Sequence, residues 1–297
     1  MYNINKIDDE YFINFFLHIH KMFIVYTNEN DEILDLNSCT FKPIKCGLNS
    51  LDCIFRVDGT IINFDRMYNV FLWYSIGMYC NIPVNRFLYF RIVLPLNNNH
   101  CRRNIRDTDC FYVLDECLLS DKYPIYSIKT IEKFNVSITY SYVQALLRRE
   151  NRLNIIKYLY SNKPEVFNWT YYLHYPLDSM SKNGNVNCLE WWKNSGLELA
   201  YSSDSLDWAS HNDHINVLEW WLNSGLSLKY SSYSLDGASQ MGHIHVLEWW
   251  KNSGLPLKYS ENALSFAHRN VFKWWKKSGL PLKYPSWTIY LYMKFFV

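Results

Sequence analysis

From about Tyr140 onward, the apolar positions fall into blocks with helical spacing. In "IHVLEWWKNS" (residues 244–253), Ile244, Val246, Leu247, Trp249 and Trp250 form one broad apolar stripe, with Glu248 and Asn252 outside it. This predicts an amphipathic helix. Gly254 suits the left-handed position that ends it, which places Leu255 against Trp250 in a Schellman-type stop, and Pro256 forbids continuation. The stretch before, "SSYSLDGASQM", opens with serines able to cap helix amides and sets Leu235 and Ala238 on one face of a shorter helix. Gly242-His243 separates the two. One block therefore predicts a short helix, a tight turn, a longer helix and a stop.

The block is copied. "LEWWKNSGLELAYS" (Leu189–Ser202), "LEWWLNSGLSLKYS" (Leu218–Ser231) and "LEWWKNSGLPLKYS" (Leu247–Ser260) are followed by the looser "FKWWKKSGLPLKYP" (Phe272–Pro285). Trp191, Trp220 and Trp249 are 29 residues apart, and Trp274 follows after 25. Upstream, "NIIKYLYSN" (Asn154–Asn162) aligns with the same helix, 33 residues ahead of its first full copy. A single helix pair cannot bury so wide a stripe, whereas a stack of pairs can, each touching mainly the next. Adjacent tryptophans lie about 100° apart on a helix. One faces its own partner helix and the other the neighbouring unit, so core packing is the expectation for them, ahead of a platform for stacking bases.

These units resemble ankyrin repeats. "YPLDSMSKNGN" supplies Pro176, Leu177 and Gly184; "SLDWASHNDH" supplies Leu206, Ala209 and His214; "SLDGASQMGH" supplies Leu235, Ala238, Gly242 and His243. Val246-Leu247, Trp249-Trp250 and Gly254 take the family's aliphatic and terminal-glycine places. The wording is especially similar to ankyrin-repeat proteins that amoeba-infecting giant viruses encode in many copies. The resemblance covers about Tyr140–Tyr284. It implies a helical solenoid whose inner helices and hairpin fingers line a concave binding face.

The units depart from that pattern in two places. Gly225 and Leu235 are only 10 residues apart, which removes most of the finger. Ala267 to Val271 holds three residues where Ala238 to Val246 holds seven, so the last helix pair is expected to be distorted. Asp213 stands where other units carry the turn glycine. His214, His243 and His245 are expected to be structural. Lys229, Lys258 and Lys283 are expected on a solvated edge, and Tyr201, Tyr230, Tyr259 and Tyr284 between units.

Positions that differ between otherwise copied units are the candidates for binding. One inner-helix slot reads Trp208, Gly237, Phe266; another, near the helix start, reads Asp204, Tyr233, Asn262. Variation confined to one face of a repeat scaffold marks a binding face, with neutral drift as the alternative.

Residues 1–135 read as a small α+β domain, and residues 136–297 as the ankyrin-like solenoid with an atypical last unit. "CIFRVDGTIINF" carries a hairpin signal at Asp58-Gly59, "FLYFRIVLPL" (Phe87–Leu96) is a buried strand, and "YPIYSIKTIEKFN" (Tyr123–Asn135) is a turn and a short helix. "LNNNHCRRNIRD" (Leu96–Asp107) is expected as an exposed loop, with Arg102, Arg103 and Arg106 as a possible anion site. His18 and His20 share a strand face without a third ligand.

Net charge is +2 with no basic footprint, so nucleic acid is not expected as a partner. The eight cysteines contain no CxxC pair and read as free thiols in a reducing compartment. A set of Cys101, Cys110, Cys117 and His100 is the alternative, as a metal site. Asp8, Asp9 and Glu10 oppose a signal peptide, and no apolar run is long enough to span a membrane. The expectation is a soluble intracellular protein without catalytic residues, cofactor or metal. It would dock a partner protein through Asp204, Trp208, Tyr233, Gly237, Asn262 and Phe266, a host one in the host cytoplasm if the viral resemblance holds. The alternatives are an enzyme of unknown class in the first domain, with the repeats as recruiter, and a structural or decayed paralogue.

Overall fold

The computed structural model describes residues 21–27, 29–30, 32–35, 40–43, 49–58, 89–95, 100–106, 109–134, 136–149, 152–167, 175–265 and 268–284. The chain divides into two compact units, Met1–Val143 and Gln144–Val297.

The first unit holds β1 (Lys21–Thr27), β2 (Glu32–Asp35), β3 (Thr40–Pro43), β4 (Asn49–Asp58), β5 (Tyr89–Pro95), β6 (His100–Arg106), β7 (Asp109–Leu119) and β8 (Tyr123–Pro124). The main sheet runs β6-β7-β4-β1-β5-β8, and β7 also pairs with β5. Those pairings close a ring β7–β4–β1–β5–β7, which leaves no free edge on the four strands within it. Val25, Phe90, Ile92 and Val93 are buried. Helix α1 (Ile128–Phe134) brings Phe134 edge-on to Phe90 at 5.3 Å and to Tyr123 at 4.6 Å.

Two readings of this unit are corrected. The stretch expected as a loop contains β6, whose strand state comes from pairing with β7 from His100↔Leu114 to Arg106↔Asp109. Arg102, Arg103 and Arg106 all belong to that strand. Cys110 and Cys117 stand seven residues apart on one strand. That is about 23 Å at 3.3 Å per residue, so the cysteine set does not converge on one metal. Among the described residues no three His, Cys, Asp or Glu side chains group for a metal ion. His18, His20 and the residues from 285 onward lie outside the described residues.

The second unit is helical. After α2 (Tyr140–Leu147) and α3 (Leu153–Asn162), four pairs follow: α4/α5 (Pro176–Lys182, Val186–Asn194), α6/α7 (Asp204–His211, Ile215–Asn223), α8/α9 (Tyr233–Met241, Ile244–Asn252) and α10/α11 (Asn262–Ser265, Arg269–Ser278). First helices pack on first helices: α4 on α6, α6 on α8, α8 on α10. The connecting stretches 195–203, 224–232 and 253–261 carry no strand.

Each pair is tied to the previous one by a repeated set of bonds. The second tryptophan of each block is buried, and in the last three blocks its indole N–H donates to a serine one unit back: Trp221 to Ser181 (2.9 Å), Trp250 to Ser210 (2.9 Å), Trp275 to Ser239 (3.0 Å), whereas Trp192 of the first block donates to the Glu198 carbonyl of its own connector (3.1 Å). The first tryptophan, half-buried in Trp220 and Trp249 and buried in Trp274, donates to a glutamate one unit back: Trp220 to Glu190 (2.7 Å), Trp249 to Glu219 (2.5 Å), Trp274 to Glu248 (2.5 Å). Buried Asp207 accepts from the Ser231 amide (3.0 Å), the Ser231 hydroxyl (2.5 Å) and the Ser234 hydroxyl. Asp178 and Asp236 accept likewise from Ser202 and Ser260.

The lysines expected on a solvated edge join this set. Lys229, Lys258 and Lys283 donate to the carbonyls of Tyr201, Tyr230 and Tyr259, and each ammonium sits 4.3 Å over that tyrosine's ring. The tyrosines pack on Trp221, Trp250 and Trp275 at 4.7–4.8 Å. His214 and His243 bond the Lys182 and His211 carbonyls of the preceding unit.

Helix stops differ from the expected Schellman pattern. Gly254 is left-handed (φ 76°), but the Leu255 amide goes to Ser253 Oγ (3.2 Å), which itself donates to the Trp250 carbonyl (2.8 Å). Ser195, Ser224 and Ser278 do the same. A serine hydroxyl thus relays the bond that the backbone would make directly. Capping serines sit one place earlier than the N-cap: Ser231 Oγ accepts the Tyr233 amide at 3.0 Å.

In the last pair α10 is described over Asn262–Ser265, the two residues after it (266–267) lie outside the described residues, and His268 enters α11 from an extended conformation. The outer-helix bonds survive: Trp275 reaches Ser239 across 36 residues where Trp250 reaches Ser210 across 40.

Removing one acceptor tests the buried bonds. Ser210→Ala strands the Trp250 indole N–H and is expected to destabilise the chain by about 1–3 kcal/mol in urea titrations. In a Trp250→Phe background, which has no N–H to strand, the same serine change is expected to cost under about 0.5 kcal/mol.

Candidate functional site

The inner helices α4, α6 and α8 bury one side and expose a row at equivalent positions. Leu177, Leu206 and Leu235 face the core together with Ala209 and Ala238. On the exposed side lie Lys182, Asp204, Trp208, His211 and Tyr233, and this is where the unequal positions fall.

Trp208 is half-buried at the centre. The Lys182 ammonium lies 3.8 Å from its ring centroid, close enough for a cation–π contact. His211, one turn on, meets the indole at 5.2 Å and 78°, and Tyr233 of the next unit meets it at 5.6 Å and 65°. His211 and Tyr233 stack at 5.6 Å with planes 16° apart, and the Tyr233 hydroxyl and His211 Nδ1 are hydrogen-bonded at 3.2 Å.

Gly237 explains how this fits. A Cβ there would come within 3.2 Å of His211 Nδ1 and 3.4 Å of the Tyr233 ring. The stacked pair lies across the glycine, so the absent side chain of Gly237 is the space that Tyr233 and His211 use. Trp208 and Gly237 are thus a complementary large–small pair. Asp204 and Asn262 open α6 and α10. The Asp204 carboxylate accepts a bond from Trp208, while lost hydration and the carboxylates of Asp178 and Asp207 hold it above its usual range. The Asn262 carbonyl accepts from Gln240 at 3.4 Å. Phe266 lies outside the described residues.

The structure therefore brings Trp208, Tyr233 and Gly237 together, and adds Lys182 and His211. Those two occupy one further unequal slot, Lys182, His211, Gln240, again at intervals of 29. The same comparison of copies would have found them one helical turn past the tryptophan slot. Tyr175 is 50% exposed and Met241 is 51% exposed, both large side chains facing solvent.

Electrostatics disfavour a charged His211. Burial, then His243 and Lys182, lower its pKa below the ordinary histidine value. His214 is lowered too, by burial, against a raising bond to the Lys182 carbonyl. No protein-family model matches the chain, and no curated protein matches it. Among the described residues no helix is long and apolar enough to cross a membrane.

A lowered folded-state pKa means that the unfolded chain binds more protons as pH drops. The stabilising contribution of a neutral His211 is full above the unfolded value near about 6.5 and is lost as pH falls from there through the folded value. The melting midpoint is therefore expected to fall between about pH 7 and 5, and His211→Gln to flatten that slope. Thermal melts across pH read both.

Proposed function

We propose that the chain is a non-catalytic protein-interaction module, an ankyrin-like helical solenoid that docks a partner protein on its inner-helix face around Trp208. One observation carries this reading. The bonds between units are copied from pair to pair, while the exposed inner-helix residues change identity at every unit. Stability requires the first and leaves the second free for recognition. The chemistry of the face also fits: Trp208 and Tyr233 pack together with Lys182 and His211, Asp204 and Asn262 open neighbouring inner helices, and Tyr175 and Met241 are further exposed large side chains of the inner helices and their caps. Aromatic and methionine centres with polar rims are what protein interfaces favour. Connectors without strands favour docking on the helices themselves, where ankyrin fingers would otherwise contribute. The resemblance to viral ankyrin-repeat proteins makes a host protein met in the host cytoplasm the expected partner.

Affinity capture from cells expressing the full chain, beside a copy lacking the inner-helix units, tests this. Trp208→Ala is expected to lose the specifically captured partner at least about tenfold, which is roughly 1.4 kcal/mol of binding. It should lower stability by about 1–2 kcal/mol, since the ring is only half-buried. Identical capture by wild type, Trp208→Ala and the unit-deleted chain would sink the proposal.

A further inference from the structure

The copies within the chain act as controls for one another on the outer helices. At the exposed position before the tryptophan pair they read Glu190, Glu219, Glu248 and then Lys273. At the second position after the pair they read Asn194, Asn223, Asn252 and then Lys277. At the helix start, Ile215 and Ile244 give way to Arg269. The buried and half-buried positions do not change in this way: Val246, Trp249, Trp250 and Ser253 have their equivalents in Val271, Trp274, Trp275 and Ser278. Three exposed positions have moved in one direction, toward positive charge, around a retained core. Arg269, Lys273 and Lys277 follow one another at intervals of four on α11, so they form one stripe, with Lys276 beside it, and all four are exposed.

The last unit has also lost what a further unit of the same kind would bind. Lys273 stands where Glu190, Glu219 and Glu248 accept an indole N–H, and an ammonium accepts nothing. Ser265 stands where Asp178, Asp207 and Asp236 accept from the next serine, and the residue in the next serine's place is Pro285, which has no N–H. His268 stands where Ser181, Ser210 and Ser239 accept the buried indole. Among the described residues the last pair thus lacks these acceptors for a further unit of the same kind, and its basic stripe has no role in binding one.

Charge is sharply divided along the same stretch. Residues 165–248 carry ten carboxylates and three lysines, whereas residues 251–284 carry seven cations and one carboxylate. Glu190, Glu219 and Glu248 are exposed, and they occupy the same outer-helix slot as Lys273. The acidic row and the basic stripe therefore belong to one side of one stack.

We propose that the basic stripe of α11 is a contact surface for a second copy of this chain, docking on the acidic row Glu190–Glu219–Glu248 of that copy. A copy turned end for end about a two-fold axis presents its acidic row to the stripe and its stripe to the acidic row, so the contact forms twice. The complementary surface is present at the same concentration as the stripe itself. Charge steering of this kind acts mainly at low ionic strength.

Sedimentation velocity of the full chain at about 0.05 M and 0.5 M salt tests it. Self-association is expected at low salt, weakened at least about tenfold at high salt. Lys273→Glu/Lys277→Glu is expected to be monomeric at both, and Lys273→Gln/Lys277→Gln to fall between it and wild type. Melting curves show that both variants fold, and the glutamine pair serves if the charge reversal does not. A wild type that is monomeric at both salts overturns the proposal. So does association that persists in both lysine variants, or that ignores salt. A monomeric wild type that retains a short single-stranded DNA through Lys273 and Lys277 also overturns it, and assigns the stripe to nucleic acid.

Discussion

An indole is a large apolar body with one polar atom, and burying it is favourable only when that N–H finds an acceptor. In the helical unit three of the buried indoles solve this the same way, while Trp192 donates to the Glu198 carbonyl. Trp221, Trp250 and Trp275 reach back to a serine on the first helix of the preceding pair. That single bond fixes which side of the outer helix faces in, how far the next pair can rotate, and where the adjacent tryptophan points. Glu190, Glu219 and Glu248 then receive the second indole at the rim. Asp207 and its equivalents clamp the connector that follows. Paired tryptophans are thus one inward anchor and one outer tie, both bonded to the same neighbour.

The recognition face depends on this framework without being part of it. The ties copied from unit to unit lie on the core side and the outer side, whereas the contacts made by the exposed inner-helix slots (Lys182 over Trp208, Tyr233 with His211, Gln240 to the Asn262 carbonyl) differ at each junction. Trp208, His211 and Tyr233 use that variation locally, packing over Gly237. The lysines show the opposite case. Lys229, Lys258 and Lys283 are exposed residues whose ammonium groups nonetheless tie successive units.

Helix positions and stops in the repeated part were legible in the sequence because periodicity, serine and glycine are local signals. The partners were not. Glu248 falls outside the apolar stripe and reads as solvated, yet it accepts an N–H from a tryptophan 26 residues away. Ser210 reads as a small helix residue and is the acceptor for Trp250, 40 residues on. The site showed the same division. Trp208, Tyr233 and Gly237 stood out as unequal copies, but the stack that joins them runs through His211, whose slot (Lys182, His211, Gln240) is equally unequal and was passed over. In the first unit, β6 was missed because Asn and Arg carry weak strand preference and its state is set by β7.

The 25-residue interval shows what the ties do and do not register. Each tie spanning its four missing residues shortens by four positions: Trp274 to Glu248 spans 26 residues instead of 30, and Lys283 to Tyr259 spans 24 instead of 28. The ties count units, with no fixed number of residues between them. A gene carrying such blocks can gain or lose one by unequal recombination, and the protein made from it meets every remaining neighbour with the same set of donors and acceptors. Copy number is then a variable that heredity can adjust in single steps, and each new block arrives with its exposed inner-helix positions open to change.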